Sequence, residues 1–290
     1  MSAGGTLVSV NLAAVIEQAA VGPDPYRIGA DGAPYVPAGD GGIVLGLRLG
    51  DGVWEHVGDH AAPGACLTHS DPAAAYALSA QACIGNVVTV RTGAAAGERG
   101  MVTGKRGEGG RVVATFAQPV LSRLRPGDQV AVRGRGQGAA DLVPGVVLRN
   151  IDPDLLAHLP VEVTGGVVSA GVRAVVPSRV VGNGIGRPTP MWDLDLQLTL
   201  ASADGFGAAG LRLGDLVAIT DIDARFNAGY RRGWMSVGLV VHGGSPQPGH
   251  GPGVTVILCG PADAFATRVD GANHRGLREE TVLGVAGNDR

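Results

Sequence analysis

Residues 86–133, NVVTVRTGAAAGERGMVTGKRGEGGRVVATFAQPVLSRLRPGDQVAVR, decide the fold class. The β-branched runs NVVTV, RVVATF and QVAV are separated by glycine-rich stretches that offer no helical periodicity, so the segment predicts short strands joined by turns. The same punctuation extends outward on both sides, where IVLGLRL, GVVL, LVAIT and SVGLVV alternate with turn residues supplied by 49 glycines and 18 prolines. The chain is therefore expected to be mainly β, with few short helices. Two helices are predicted: one follows Ser70 and Asp71 with Pro72 in its first turn and runs through AAAYALSAQA, and one follows Asn150 to Asp152 with Pro153 and runs through DLLAHL. A phrase also recurs: LRLGDGV at 47–53, LRPGDQV at 124–130 and LRLGDLV at 211–217. Each places Gly-Asp at a turn that launches a strand, where glycine accepts unusual backbone angles and the aspartate is expected to bond the amides that follow.

The chain has 290 residues, enough for one large or two modest domains with a substantial core. Its formal net charge of -3 gives no electrostatic case for nucleic acid or an anionic membrane, and a small-molecule partner is expected instead. Cys66, Cys83 and Cys259 are odd in number and lack C-x-x-C spacing, so neither a disulfide framework nor a structural zinc site is predicted. The N-terminal MSAGGTLVSVNLAAV has no basic run before its apolar stretch, and no window approaches the roughly 20 apolar residues of a membrane span. A reducing, cytoplasmic location is expected. Lys105, the sole lysine, falls in GKRGEGG, read as a solvated turn, which argues against pyridoxal phosphate (PLP) and Schiff-base chemistry. GNGIG lacks the G-x-G-x-x-G pattern and GAAAGERG lacks a Walker lysine, so neither an NAD site nor an ATP P-loop is supported.

In order along the chain, GADGAPYVPAGDGGI, GDHAAPG, ACIGN, GMVTGK, GQG, NIDPDLL, GNGIG, LRLGDLVAITDIDARF, YRRG, SVGLVVH and GHGPGVTV resemble the bacterial family of unknown function numbered 4438, from about Ile28 to about Ile257. The resemblance implies an unusual β-domain built from both chain ends, combined with a small elongation-factor-like β-barrel. It divides the chain into residues 1–85, a barrel at 86–149, and residues 150–290 with the C-terminal segment. It implies no chemistry. The sequence departs from the family pattern at Cys66 and in the arginine-rich end after Ala266. The central segment also resembles small barrels of translation-associated proteins, but it has few aromatics on which bases could stack, so nucleic-acid binding is the minor expectation.

Candidate chemistry lies in a few loops. GHGPG at 249–253 holds His250 among residues that let backbone approach a ligand closely. GDHAAPG at 58–64 holds His60; neighbours on an extended chain point to opposite faces, so Asp59 and His60 are not expected to pair. Asp221 and Asp223 follow a strand two residues apart, a spacing that suits a divalent metal or acid/base work, and Arg225, Tyr230 and Arg231 follow as candidate substrate-binding groups. Asp193 and Asp195 alternate with leucines and read as the wet face of a strand, while His242 reads as the edge of the core. Cys83, at a helix end whose dipole opposes a thiolate, and Cys66 read as inert. The expected function is an enzyme acting on a small polar, carboxylate-bearing metabolite by acid/base or metal-assisted chemistry of lyase, isomerase or hydrolase type. His250, His60, Asp221 and Asp223 are the expected catalytic set, and a divalent metal is the cofactor class left open. A non-catalytic ligand-binding or regulatory protein is the alternative, and homo-oligomerisation also stays open.

Overall fold

A computed structural model describes residues 7–288 except Gly22, Val57, Glu108 and Gly109. The reading of Met1 to Thr6 and part of the GKRGEGG turn lie outside the described residues. Chain order begins with strand β1 (Ser9–Ile16), a hairpin of β2 (Arg27–Ile28) and β3 (Pro34–Tyr35), β4 (Ile43–Val44) and β5 (Gly64–Thr68). Helix α1 (Pro72–Gln81), β6 (Val87–Val90), β7 (Arg99–Arg106), β8 (Arg111–Thr115), helix α2 (Gln118–Leu121) and β9 (Gln129–Arg135) follow. The sheet order β1-β9-β6-β7-β8-β5, with β1 also pairing with β5, closes a six-stranded antiparallel barrel, and β4 extends it beyond β5. Val88, Val102, Val112, Val130 and Phe116 fill its interior. Closure needs β1, whose Val15 and Ile16 pair with Thr68 and Leu67. The barrel thus draws strands from residues 1–85, and an expected boundary at 85/86 does not separate hydrogen-bonded units. Barrel closure removes the sheet edges that a stand-alone segment 86–149 would expose.

The second half contributes β10 (Val147–Leu148), helix α3 (Pro153–Leu156), β11 (Val161–Thr164), β12 (Val167–Val172), β13 (Ala174–Pro177) and β14 (Leu194–Asp195). Helix α4 (Leu200–Ala203), β15 (Leu216–Asp223), β16 (Gly229–His242), β17 (Gly253–Pro261), β18 (Phe265–Val269) and helix α5 (Glu279–Asn288) complete it. One sheet runs β10-β17-β16-β15-β13, with β14 on β17, and a smaller one runs β11-β12-β18. Leu47, Leu49 and Val53 join the core of this half, so the N-terminal segment serves both units. Gly104 sits where β7 and β8 lose register, and a Cβ there would lie 2.5 Å from Val241, so glycine lets the barrel press directly on β16. Among the described residues no helix is long and apolar enough to cross a membrane.

Local chemistry explains the elements. Helix α1 starts where Asp71 accepts from the Ala74 amide at 2.8 Å, with Pro72 in the first turn. In the three repeated corners Gly50, Gly127 and Gly214 have φ of 100°, 90° and 85°. Their aspartates accept from amides three residues earlier: Asp51 from Arg48 at 2.8 Å, Asp128 from Arg125 at 2.8 Å and Asp215 from Arg212 at 3.0 Å. The bond therefore closes the corner backward, not forward as the sequence suggested, because the left-handed glycine folds the preceding amide onto the carboxylate. Two further expectations are corrected. Helix α5 occupies the C-terminal end, where no helix was predicted, and Lys105 is fully buried on β7 instead of solvated. Its ammonium donates to Asn150 Oδ1 at 2.9 Å and Pro190 O at 2.6 Å, and burial lowers its pKa to about 8.

Candidate metal centre

Four loops and strand ends converge beside the junction of the barrel and the β10–β17 sheet. Asp195 lies on β14 and Asp193 just before it, flanking Leu194, so period-two alternation sends the leucine into the core and both carboxylates to the opposite side. That side is not water: Asp193 and Asp195 are 4% and 2% exposed, because β16 and the following loop cover them. His242 ends β16, and His250 follows Gly249 in the loop before β17. Gly251 keeps that loop against β14, since a Cβ there would lie 1.7 Å from the Leu196 carbonyl oxygen. His60 has φ of 55°, outside the extended region, and this is why the opposite-faces expectation fails: its Nδ1 lies 2.7 Å from Asp59 Oδ1.

The cluster has a common focus. His60 Nε2 lies 2.9 Å from His250 Nδ1 and 3.7 Å from Asp195 Oδ2, and His250 Nδ1 lies 2.7 Å from the same oxygen. Ligands about 2.0–2.1 Å from a tetrahedral zinc are separated by roughly 3.3 Å, so these three atoms have the mutual spacing of one ion's ligands. Asp195 Oδ2 is buried and makes no hydrogen bond of acceptable geometry, so hydrogen bonding alone does not account for it. Two imidazoles and one carboxylate are together a set for a divalent first-row transition metal, softer than the all-oxygen sets of calcium and magnesium.

A second layer of groups orients the three. Asp59 Oδ2 accepts from Arg27 Nη1 at 2.9 Å and Tyr35 OH at 3.0 Å, while Oδ1 faces His60 Nδ1 and leaves Nε2 turned toward His250 and Asp195. Asp40 receives Arg106 at 2.6 Å, Arg27 at 3.0 Å and Arg111 at 3.3 Å, tying the β2–β3 hairpin to the barrel. His242 Nδ1 faces the Gly243 carbonyl at 2.8 Å, and its Nε2 faces Asp193 Oδ2 at 2.8 Å and Asp195 Oδ1 at 3.3 Å. Gln247 lies 3.2 Å from His250 Nε2 and borders an open cleft of about 640 Å³ lined also by Arg27, Ile28 and Pro248.

Protonation follows this geometry. Burial favours a neutral His242 ring, yet Asp193 and Asp195 push its pKa up to about 10: the pocket demands a positive charge there. Burial would raise Asp195, but His242, His250 and His60 hold it well below the usual carboxylate range. Burial opposes charge on His60 too, and Asp195 and Asp59 outweigh it and raise its pKa. Asp59 is lowered against its own burial, mainly by His60, Ser245 and Tyr35.

His60 and His250, both expected in the site, come together. Asp221, Asp223, Arg225, Tyr230 and Arg231 form a separate group on the β15–β16 hairpin with partners of their own. Asp223 binds Arg225 at 2.9 Å and Arg231 at 3.0 Å, both guanidiniums lie over the Trp234 ring, and Asp221 accepts from the Gly233 amide at 2.8 Å. Tyr230 is 62% exposed beside a shallow groove that includes Arg179 and Arg232. Asp195, Asp193 and His242 are the members of this cluster that sequence reasoning set aside: the D-x-D alternation was visible, but not the layer that covers it. All three cysteines are buried free thiols, with burial raising each pKa, as inert cysteines require.

Residues 26–157 match the family described as "Domain of unknown function (DUF4438), N-terminal", and residues 158–274 match its C-terminal counterpart. The chain is also similar to a solved structure titled "Crystal structure of TM1086", with 34% identity, a TM-score of 0.88, and coverage of 93% of this chain and 95% of that one. No curated protein matches. With both family halves matched end to end over residues 26–274, the chain belongs to the DUF4438 family.

Proposed function

We propose that the protein is an enzyme in which His60, Asp195 and His250 hold one divalent transition-metal ion and direct it at a small polar, carboxylate-bearing molecule entering past Arg27. The observation that carries this reading is the convergence of His60 Nε2, His250 Nδ1 and the buried Asp195 Oδ2, which makes no hydrogen bond of acceptable geometry, within 3.7 Å of one another. Three protein ligands leave a coordination position for water or substrate, the arrangement of catalytic rather than structural sites. A cation there would polarise a bound oxygen, in keeping with hydrolase, lyase or isomerase chemistry. The chain's own groups would do the rest: Asp59 fixes the His60 tautomer, His242 and Asp193 hold Asp195, and Arg27 and Gln247 border the entrance. Burial raises the Tyr35 pKa further, so at neutral pH the phenol is a donor to Asp59 and not a base.

A non-catalytic reading draws on one observation: Arg27 already bonds Asp40 and Asp59, so an incoming carboxylate would compete with both. The test separates the two. Elemental analysis of purified protein and titration of stripped protein with Zn²⁺, Mn²⁺ and Co²⁺ should find a bound transition metal, lost in Asp195→Asn. The loaded protein should then turn over members of a panel of small carboxylate esters, lactones and 2-hydroxy acids, with chelator abolishing turnover. Metal binding without turnover of any panel member would favour the binding protein. No metal at all would end the proposal.

A further inference from the structure

We propose that Asp193, His242 and the Oδ1 oxygen of Asp195 hold a second divalent cation, so that Asp195 bridges a two-cation centre; this rests on the reading of His60, His250 and Asp195 Oδ2 as the first cation's ligands. Asp195 divides its oxygens between two groups of histidines. Oδ2 lies 2.7 Å from His250 Nδ1, while Oδ1 lies 3.3 Å from His242 Nε2 on the other side. His242 Nδ1 lies 2.8 Å from the Gly243 carbonyl, so that nitrogen carries a hydrogen and Nε2 is the nitrogen turned toward the carboxylates. Nε2 faces two carboxylate oxygens, Asp193 Oδ2 at 2.8 Å and Asp195 Oδ1 at 3.3 Å, in a pocket where His242 is 1% exposed. Two buried carboxylates beside a ring nitrogen require a positive charge, and a cation held by all three groups would supply it in place of the Nε2 proton.

The remaining oxygens are arranged accordingly. Asp193 Oδ1 accepts from the Gly107 amide at 3.0 Å, which leaves Oδ2 for the ion. Asp195 Oδ2, buried without a hydrogen bond, is aimed into the first position of the same centre. One imidazole and two carboxylates form a mixed nitrogen and oxygen set like that of the first ion. A carboxylate shared in this way sets two ions about 3.5–4 Å apart, the spacing at which paired metals stabilise both the attacking and the leaving oxygen of a displacement. Within the proposed function, the pair narrows the chemistry to hydrolysis of an ester, amide or phosphoester.

Equilibrium dialysis of stripped full-length protein against Mn²⁺ or Zn²⁺, followed by elemental analysis, reads the stoichiometry. Two ions per chain are expected in the wild type, one in His242→Ala and in Asp193→Asn, with folding of each variant checked by circular dichroism. A measurement on the wild type alone guards against variants that fail to fold: Mn²⁺ loaded to saturation should give an exchange-coupled electron paramagnetic resonance spectrum instead of the six-line signal of an isolated ion. One ion per chain with an uncoupled spectrum would overturn the second site while leaving the first intact, and would mean that a proton sits between His242 and the carboxylates. Zero ions per chain would overturn both sites together.

Discussion

At His60 the backbone decides the chemistry. Its φ of 55° turns the ring back onto the preceding Asp59, an arrangement that an extended chain forbids. Asp59 then acts through His60, and removing its charge while keeping its shape isolates that role. Asp59→Asn should weaken cation binding by about 10–100-fold in calorimetric titration, the usual effect of losing such a partner, with only a small change in the metal-free melting temperature. Unchanged affinity would mean that the His60 tautomer is set elsewhere. Lys105 offers a second test. Its folded pKa of about 8 lies below its ordinary value of 10.5. Below pH 8 both states carry the proton and the cost of the buried charge is present in full; between the two values the folded state sheds it first, so stability rises with pH. Relative to Lys105→Met, the wild type should gain at most ~3 kcal/mol across that window in denaturant titrations, and a flat difference would show the ammonium to be fully compensated. His60 and His250 were legible in sequence because glycines and prolines around them announce loops that can open to a ligand. Asp195 and His242 were not: alternation tells which residues share a face, and only the fold tells whether that face meets water or another layer.

Elements place these groups through close backbone contacts. The loop carrying His250 rests on β14, which carries Asp195, and Gly251 is the point of contact, with the Leu196 carbonyl oxygen 1.7 Å from where a Cβ would stand. Gly251→Ala should cost about 1–3 kcal/mol, the usual range for overpacking, and also weaken cation binding, because His250 and Asp195 are driven apart. Gly249→Ala is the control: its φ is 78° but nothing lies within 4 Å of its added Cβ, so strain of about 1–2 kcal/mol is expected with affinity kept. Equal losses of affinity in the two variants would show that loop conformation, and not its approach to β14, sets the site. Such contacts leave little trace in sequence, where Gly251 and Gly249 look alike. The repeated Leu-Arg-x-Gly-Asp corners did announce strand entrances, because a left-handed glycine and its aspartate form one self-contained local structure.

Across the whole molecule, the proposed centre draws on parts of both units, which also touch where Gly104 of β7 meets Val241 of β16. His60 lies between β4 and β5 of the barrel sheet, Asp195 on a strand of two residues at the margin of the second sheet, and His250 in the loop between β16 and β17. The barrel was readable as short strands between glycine-rich turns; its closure by β1 was not, since pairing over more than a hundred residues depends on tertiary fit. A cation bound at the junction should therefore stabilise the entire fold and not one loop. At a free concentration 1,000 times its dissociation constant an ion that binds only the native state adds about 4 kcal/mol, which for a chain of this size raises the melting temperature by on the order of 10 °C. Calorimetric scans of stripped protein with increasing Zn²⁺ should show one transition moving upward as a unit, and Asp195→Asn should remove the shift. If the ion moved only part of the transition, leaving barrel melting where it was, the centre would belong to the second sheet alone, and His60 could not be among its ligands.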